Sequence, residues 1–178
     1  DGNYLKPLEL NCVDEVLKDS VSEKYSDRVV ANARVAHITE GTKPGLGRNT
    51  CQYRNRCARG CPFGAYFSSN SSTLPTAEAT GNMTLRPNSV VHEVIYDADT
   101  KRATGVRVID AETKEVYEFN AKVIFLCASS IPTTSILMQS KSDAFPNGMG
   151  NQSGELGHNI MDHHFQVGAY GRYDGFED

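Results

Sequence analysis

Apolar positions along the chain change their period partway, and that change divides it. Val13, Val16, Leu17 and Val21 recur at helical spacing, which predicts a helix near 12 to 24. Asn11 stands before it with Asp14 three residues on, the arrangement of a capping box. Residues 1 to 7 read as an extended lead-in. Val29 to Ile38 is apolar enough for a strand or a short helix, and its pattern does not choose between them. Gly41 to Arg48 is turn material, and the serines and asparagines of Phe63 to Ser72 suit caps and turns. Ala77 and Ala79 favour a helix over Thr73 to Thr80, ended by Gly81 and Asn82.

From Met83 the period becomes that of strands. Met83 to Arg86 predicts a short strand and Val90 to Tyr96 a richer one. In Gly105 to Ile109, Val106 and Val108 share one face and Arg107 takes the other. Val116 to Phe119 follows a second polar turn, giving an antiparallel meander of about three strands. Lys122 to Cys127 (KVIFLC) is a continuous apolar run, as expected for a strand buried on both faces of an α/β sheet. Small residues follow it, and Pro132 then opens a helix reaching about Gln139, a position where its missing N–H costs nothing. Residues 145 to 157 are too rich in Gly and Asn for regular structure. The fold class expected is therefore α/β with α+β character.

The 178 residues suffice for one ordinary domain or a piece of a larger one. A net charge of −4 gives no electrostatic case for nucleic acid. No apolar run approaches the roughly 20 residues that span a bilayer, and the first residues carry no secretion-signal pattern. Compartment stays open between cytoplasm and periplasm.

Three of the five cysteines fall within RNTCQYRNRCARGCPFGA at 48–65, as Cys51, Cys57 and Cys61. Their spacing is C-x5-C-x3-C-P. A loop this short cannot bury three thiols in a core. Thiolates with a Pro after the last ligand suit an iron–sulfur cluster. Structural zinc prefers closer-spaced pairs. A disulfide with a spare thiol, or inert loop cysteines, also fit the spacing. Arg48, Arg54, Arg56 and Arg59 could steer an anion or simply stay solvated. Cys12 sits in a first helical turn as a small half-buried residue, and His37 has no partner in view.

Two later stretches carry candidate chemistry. Ala128-Ser129-Ser130, between the apolar run and a helix N-terminus, would let a ligand approach the backbone, and the helix end favours anions. His158, Asp162, His163 and His164 crowd seven residues and suit either a metal or a polar loop beside a cofactor.

Taken in order, GCPFGA at 60–65, GNMTLRPNSVVHEVIYD at 81–97, ATGVRV at 103–108, AKVIFLCASSIPTTSILMQS at 121–140 and GELGHNIMDH at 154–163 resemble the glucose–methanol–choline (GMC) flavoprotein oxidoreductases. The resemblance covers roughly residues 45 to 165. It implies a Rossmann-like FAD-binding domain, here with Ser129 where the family usually carries Gly. The cysteine loop is most similar to that of bacterial FAD-dependent sugar dehydrogenases, whose three cysteines ligate a three-iron, four-sulfur cluster. The implied metal ligands are Cys51, Cys57 and Cys61. The implied cofactor-side residues are Val91 (adenine), Ala128 and Ser129 (the turn near FAD), and Asn159, Asp162 and His163.

The family's G-x-G-x-x-G turn and its C-terminal catalytic histidine are not in this sequence, so an internal piece of a longer enzyme is expected, with no catalytic residue of its own. Residues 1–72 would be a helical and loop insertion, 73–157 part of the FAD-binding domain, and 158–178 the start of a substrate-binding domain. The implied activity is oxidation of an alcohol, sugar or polyol, with a small subunit or cytochrome as electron acceptor. Two other readings stay open: a non-catalytic binding module with a structural metal or disulfide loop, and a metal-free oxidase that uses oxygen.

Overall fold

The computed structural model describes residues 3–41, 47–165 and 167–175. Most of the turn expected from Gly41 to Arg48, the first two residues of the lead-in, and Phe176 lie outside the described residues. The chain divides into two compact units, Asp1–Thr84 with Tyr170–Asp178, and Leu85–Ala169.

In the first unit the helix α1 spans Cys12–Lys24. Its start is fixed locally. The Asn11 side chain accepts from the amides of Val13 and Asp14 at 3.0 Å, and the Asp14 carboxylate accepts from the Asn11 amide at 3.4 Å. Two of the helix's first orphan donors and the cap's own amide are thereby satisfied. Residues 29–36 are neither strand nor helix. Backbone bonds tie the segment across the chain instead: Ile38 N–H donates to Ala65 O at 2.9 Å, Phe67 N–H to Ala36 O at 2.8 Å, and Cys51 N–H to Ile38 O at 2.8 Å. Ile38 and Ala65, the buried apolar residues here, sit at that junction. The short helix α2 spans Thr73–Ala79.

The second unit is the meander and its helix. Strands β1 (Ser89–Asp97), β2 (Arg102–Asp110) and β3 (Val116–Asn120) pair antiparallel in chain order. Val91 pairs with Val108 and Val94 with Val106, with register shifts after Val91 and Ile95. Val94 and Val108 are buried, as is Ile136 of α3, which spans Ser130–Gln139 and packs against β1. Arg107 takes the opposite face, as alternation requires, and holds Glu93 of β1 and Glu118 of β3, the latter through Nη2 at 2.8 Å and Nε at 3.1 Å. Helix and sheet are joined by Ser140, whose buried hydroxyl accepts from Val94 N–H at 2.8 Å and donates to Ile136 O at 2.6 Å.

Two expected strands are corrected. Residues 83–86 do not pair: Arg86 instead lays its guanidinium over the rings of Tyr117 and Phe119 and bonds Asp110. Residues 122–127 are likewise irregular, with Val123 65% and Phe125 83% exposed. A strand needs neighbours for its N–H and C=O groups. Among the described residues the sheet ends at β3, and Ala121 N–H, bonded to Thr104 O at 3.0 Å, is the chain's last bond to β2 before it leaves. The strand pairing described is all antiparallel, so the parallel α/β element is not formed here and the described architecture is a mixed one of helices beside an antiparallel sheet.

Candidate functional site

The cysteine loop is built around Arg48. Its Nε donates to Gly64 O at 2.8 Å, Nη2 to Ala65 O at 3.2 Å, and Nη1 to the Ser72 hydroxyl at 3.3 Å. Arg48 is thus a brace of the loop, while Arg54, Arg56 and Arg59 stay exposed. Gly64 turns the chain at φ +59°, and a Cβ there would lie 3.2 Å from Gly47 O, so the two loop arms approach as closely as glycine permits. Cys57 begins a single 3₁₀ turn ending at Arg59.

Cys51, Cys57 and Cys61 border one pocket of about 330 Å³, together with Leu8 and His37. All three thiols are free and half-buried, so the disulfide alternative is not formed. Cys61 is held below the ordinary cysteine value. The Tyr66 amide is the strongest cause, partial burial opposes it, and the amides of Phe63, Ala65 and Gly64 add to it. A ring of N–H donors around one sulfur favours its thiolate. His37 Nε2 lies 3.3 Å from Cys57 Sγ. No three His, Cys, Asp or Glu groups among the described residues converge closely enough to hold a metal ion. That holds equally for the histidine-rich stretch at 158–164.

His37 is the residue that sequence reasoning missed. Its partner lies twenty positions away, and the bridge between His37 and Tyr66 with its flanking backbone bonds holds His37 against the loop. Cys12 and Cys127 are exposed and separate from the pocket.

In the second unit, Val91 lies half-buried on β1. Ala128 and Ser129 are exposed at the start of α3. Ser129 adopts φ +72° and ψ 169°, a region that only glycine enters without strain. No side chain caps α3; Pro132 has no N–H and Thr133 N–H donates to Ser129 O, which leaves the amides of Ser130 and Ile131 without a capping side chain. Asn159, Asp162 and His163 are exposed in irregular chain. Asn159 donates to Glu155 at 2.9 Å, and Asp162 accepts from the His163 amide at 2.6 Å. Among the described residues no helix is long and apolar enough to cross a membrane.

A profile of the family described as GMC oxidoreductase matches residues 14–165. The chain belongs to the GMC oxidoreductases. It is 32% identical over 139 residues to a fructose dehydrogenase large subunit from Gluconobacter japonicus, covering 78% of this chain and 24% of that protein. It is 31% identical over 126 residues to a 2-methyl-1,2-propanediol dehydrogenase from Mycolicibacterium austroafricanum, covering 71% and 22%. The chain thus spans about a quarter of the length of the curated relatives it matches. Membership of this family implies FAD as cofactor.

Proposed function

We propose that this chain is part of a larger FAD-dependent oxidoreductase that oxidises the CH–OH group of a sugar, polyol or other alcohol and passes the electrons to an external acceptor. The observation that carries this reading is the family match through residues 14–165, supported by two relatives named as dehydrogenases of fructose and of a diol. The words "large subunit" in the first relative's name support a partner such as a small subunit or a cytochrome.

Residues 1–72 would form an insertion carrying the cysteine loop, 73–157 part of a Rossmann-like FAD-binding domain, and 158–178 the start of a substrate domain. When bound, FAD supplies a two-electron acceptor for the hydrogen leaving the alcohol carbon. The residues present suit it at one place above all. The exposed amides at the start of α3 have no cap of their own, and a helix N-terminus favours the negative charge of a phosphate. Ala128 and Ser129 would present that backbone, Val91 would flank the adenine, and Asn159, Asp162 and His163 would approach the cofactor side. No residue of this chain is assigned to proton removal; that base would be a histidine elsewhere in the enzyme.

The cysteine loop would hold an iron–sulfur cluster on Cys51, Cys57 and Cys61, supplying one-electron transfer. In its favour, the three cysteines line one pocket and Cys61 is held below the ordinary cysteine value, chiefly by the Tyr66 amide. Against it, no three metal donors converge among the described residues; the alternative is a metal-free oxidase that passes electrons to oxygen. One preparation separates the two. The intact enzyme, purified without oxygen, is assayed for FAD, iron and acid-labile sulfide, and for reduction of a dye or of oxygen with a panel of sugars and diols. Bound FAD, about three iron atoms per chain and dye reduction support the dehydrogenase; Cys57→Ser should then bleach the cluster absorbance. Bound FAD with oxygen consumption and no iron leaves the oxidase. Protein that binds no FAD and oxidises no alcohol overturns the proposal.

A further inference from the structure

We propose that His37 is a positioning residue of the cysteine loop, donating an Nε2–H hydrogen bond to the sulfur of Cys57. The role of that bond toward a cluster rests on the iron–sulfur reading above.

The contact is held from both sides. His37 is fixed in the chain by its bridge to Tyr66 and by the flanking bonds from Ile38 N–H to Ala65 O at 2.9 Å and from Phe67 N–H to Ala36 O at 2.8 Å. Its ring packs against that of Tyr66 at 5.0 Å between centroids. Cys57 is fixed by its 3₁₀ turn. The imidazole meets the sulfur at 3.3 Å.

The other ring nitrogen decides the direction of the bond. His37 Nδ1 is buried and has no hydrogen-bond partner. A neutral imidazole carries its proton on one nitrogen only. With the proton on Nδ1, a buried N–H donor would be orphaned, the rarer and costlier situation. With the proton on Nε2, the orphan is a single acceptor lone pair and the N–H points at sulfur. The bond thus runs from His37 to Cys57.

The His37 side chain thus places an N–H donor against the sulfur of Cys57. Cys51 is carried beside them by its amide bond to Ile38 O, the residue after His37. Hydrogen bonds to ligating sulfurs draw off negative charge and favour the reduced state of a cluster, raising its potential.

The test uses the intact enzyme and two variants. His37→Phe keeps a ring against Tyr66 and removes the donor; His37→Gln restores an N–H donor on a flexible arm. Iron content and the cluster's midpoint potential, followed by electron paramagnetic resonance, are measured on all three. The expected result is iron in all, a more negative potential in His37→Phe, and return toward the wild-type potential in His37→Gln. Iron-loaded His37→Phe with an unchanged potential overturns the proposal.

A second arm needs no iron. In histidine-¹⁵N-labelled, iron-free enzyme, His37 should give the Nε2–H tautomer, and Cys57→Ala should move its Nε2 resonance alone. An Nδ1–H tautomer, or a resonance indifferent to Cys57→Ala, overturns the hydrogen bond. Wild-type enzyme without iron would refute the cluster reading only, and this second arm then decides for His37.

Discussion

Replacing Ser140 with alanine removes one oxygen atom from the seam between α3 and β1. Val94 lies on an edge strand, and its N–H points away from β2, where the Ser140 hydroxyl accepts it at 2.8 Å. Both residues are buried, Val94 at 6% and Ser140 at 3% exposure, so water does not replace the lost acceptor. An orphaned buried donor costs about 1–3 kcal/mol. The other end of the hydroxyl adds little, because Ile136 O still accepts from the Ser140 amide at 3.0 Å. The full effect is therefore about 1–3 kcal/mol rather than twice that. At about 1.4 kcal/mol per tenfold, exchange of the Val94 amide should accelerate between about 5-fold and 150-fold. Hydrogen exchange resolved at Val94 measures it directly. Ser135→Ala, on an exposed turn of the same helix, is the control and should stay within about 0.5 kcal/mol. Unchanged Val94 protection in Ser140→Ala would refute the claim that this hydroxyl joins helix to sheet.

Ser129→Gly should stabilise the second unit by about 1 kcal/mol, the relief of a strained φ of +72° less the added chain entropy of glycine; a lower denaturation midpoint would contradict it. Gly105→Ala should destabilise by about 1–3 kcal/mol, since its Cβ would lie 2.5 Å from Phe119 O and 2.8 Å from Asn120 Oδ1, forcing β2 and β3 apart. Neutral behaviour in a urea titration would sink that reading. The Asp110 carboxyl is held below its ordinary value of 3.8, chiefly by the Thr113 amide, then by the Glu112 amide. Its contribution is complete above pH 3.8, the unfolded value, and is lost as pH falls through the lower folded value. Asp110→Asn should therefore flatten the acid limb of the stability curve below that pH. A limb of unchanged slope would show that the turn does not titrate.

Where the signal lies between residues a few positions apart, sequence and structure agree. Asn11 and Asp14 start α1 through their own backbone amides, so the capping box needs no other part of the chain. Alternation in β2 buries Val108 and puts Arg107 on the far face because side-chain direction follows from the strand's period of two. Pro132 marks the first turn of α3 for a reason internal to the helix. The cysteine spacing likewise marks the loop that lines the pocket.

What pairs with what across the chain was decided only in three dimensions. The run at 122–127 has the composition of a buried strand, but a strand exists only with a ladder partner, and composition names none. Arg48 reads as one more loop cation until its guanidinium is seen spanning Gly64, Ala65 and Ser72. The hydroxyl of Ser140 meets Val94 across forty-six positions, and His37 meets Cys57 across twenty. Such contacts leave no periodic trace, because their geometry comes from how the chain closes on itself. Short-range patterning wrote the helices, the meander and the thiol loop; tertiary closure chose their hydrogen-bond partners.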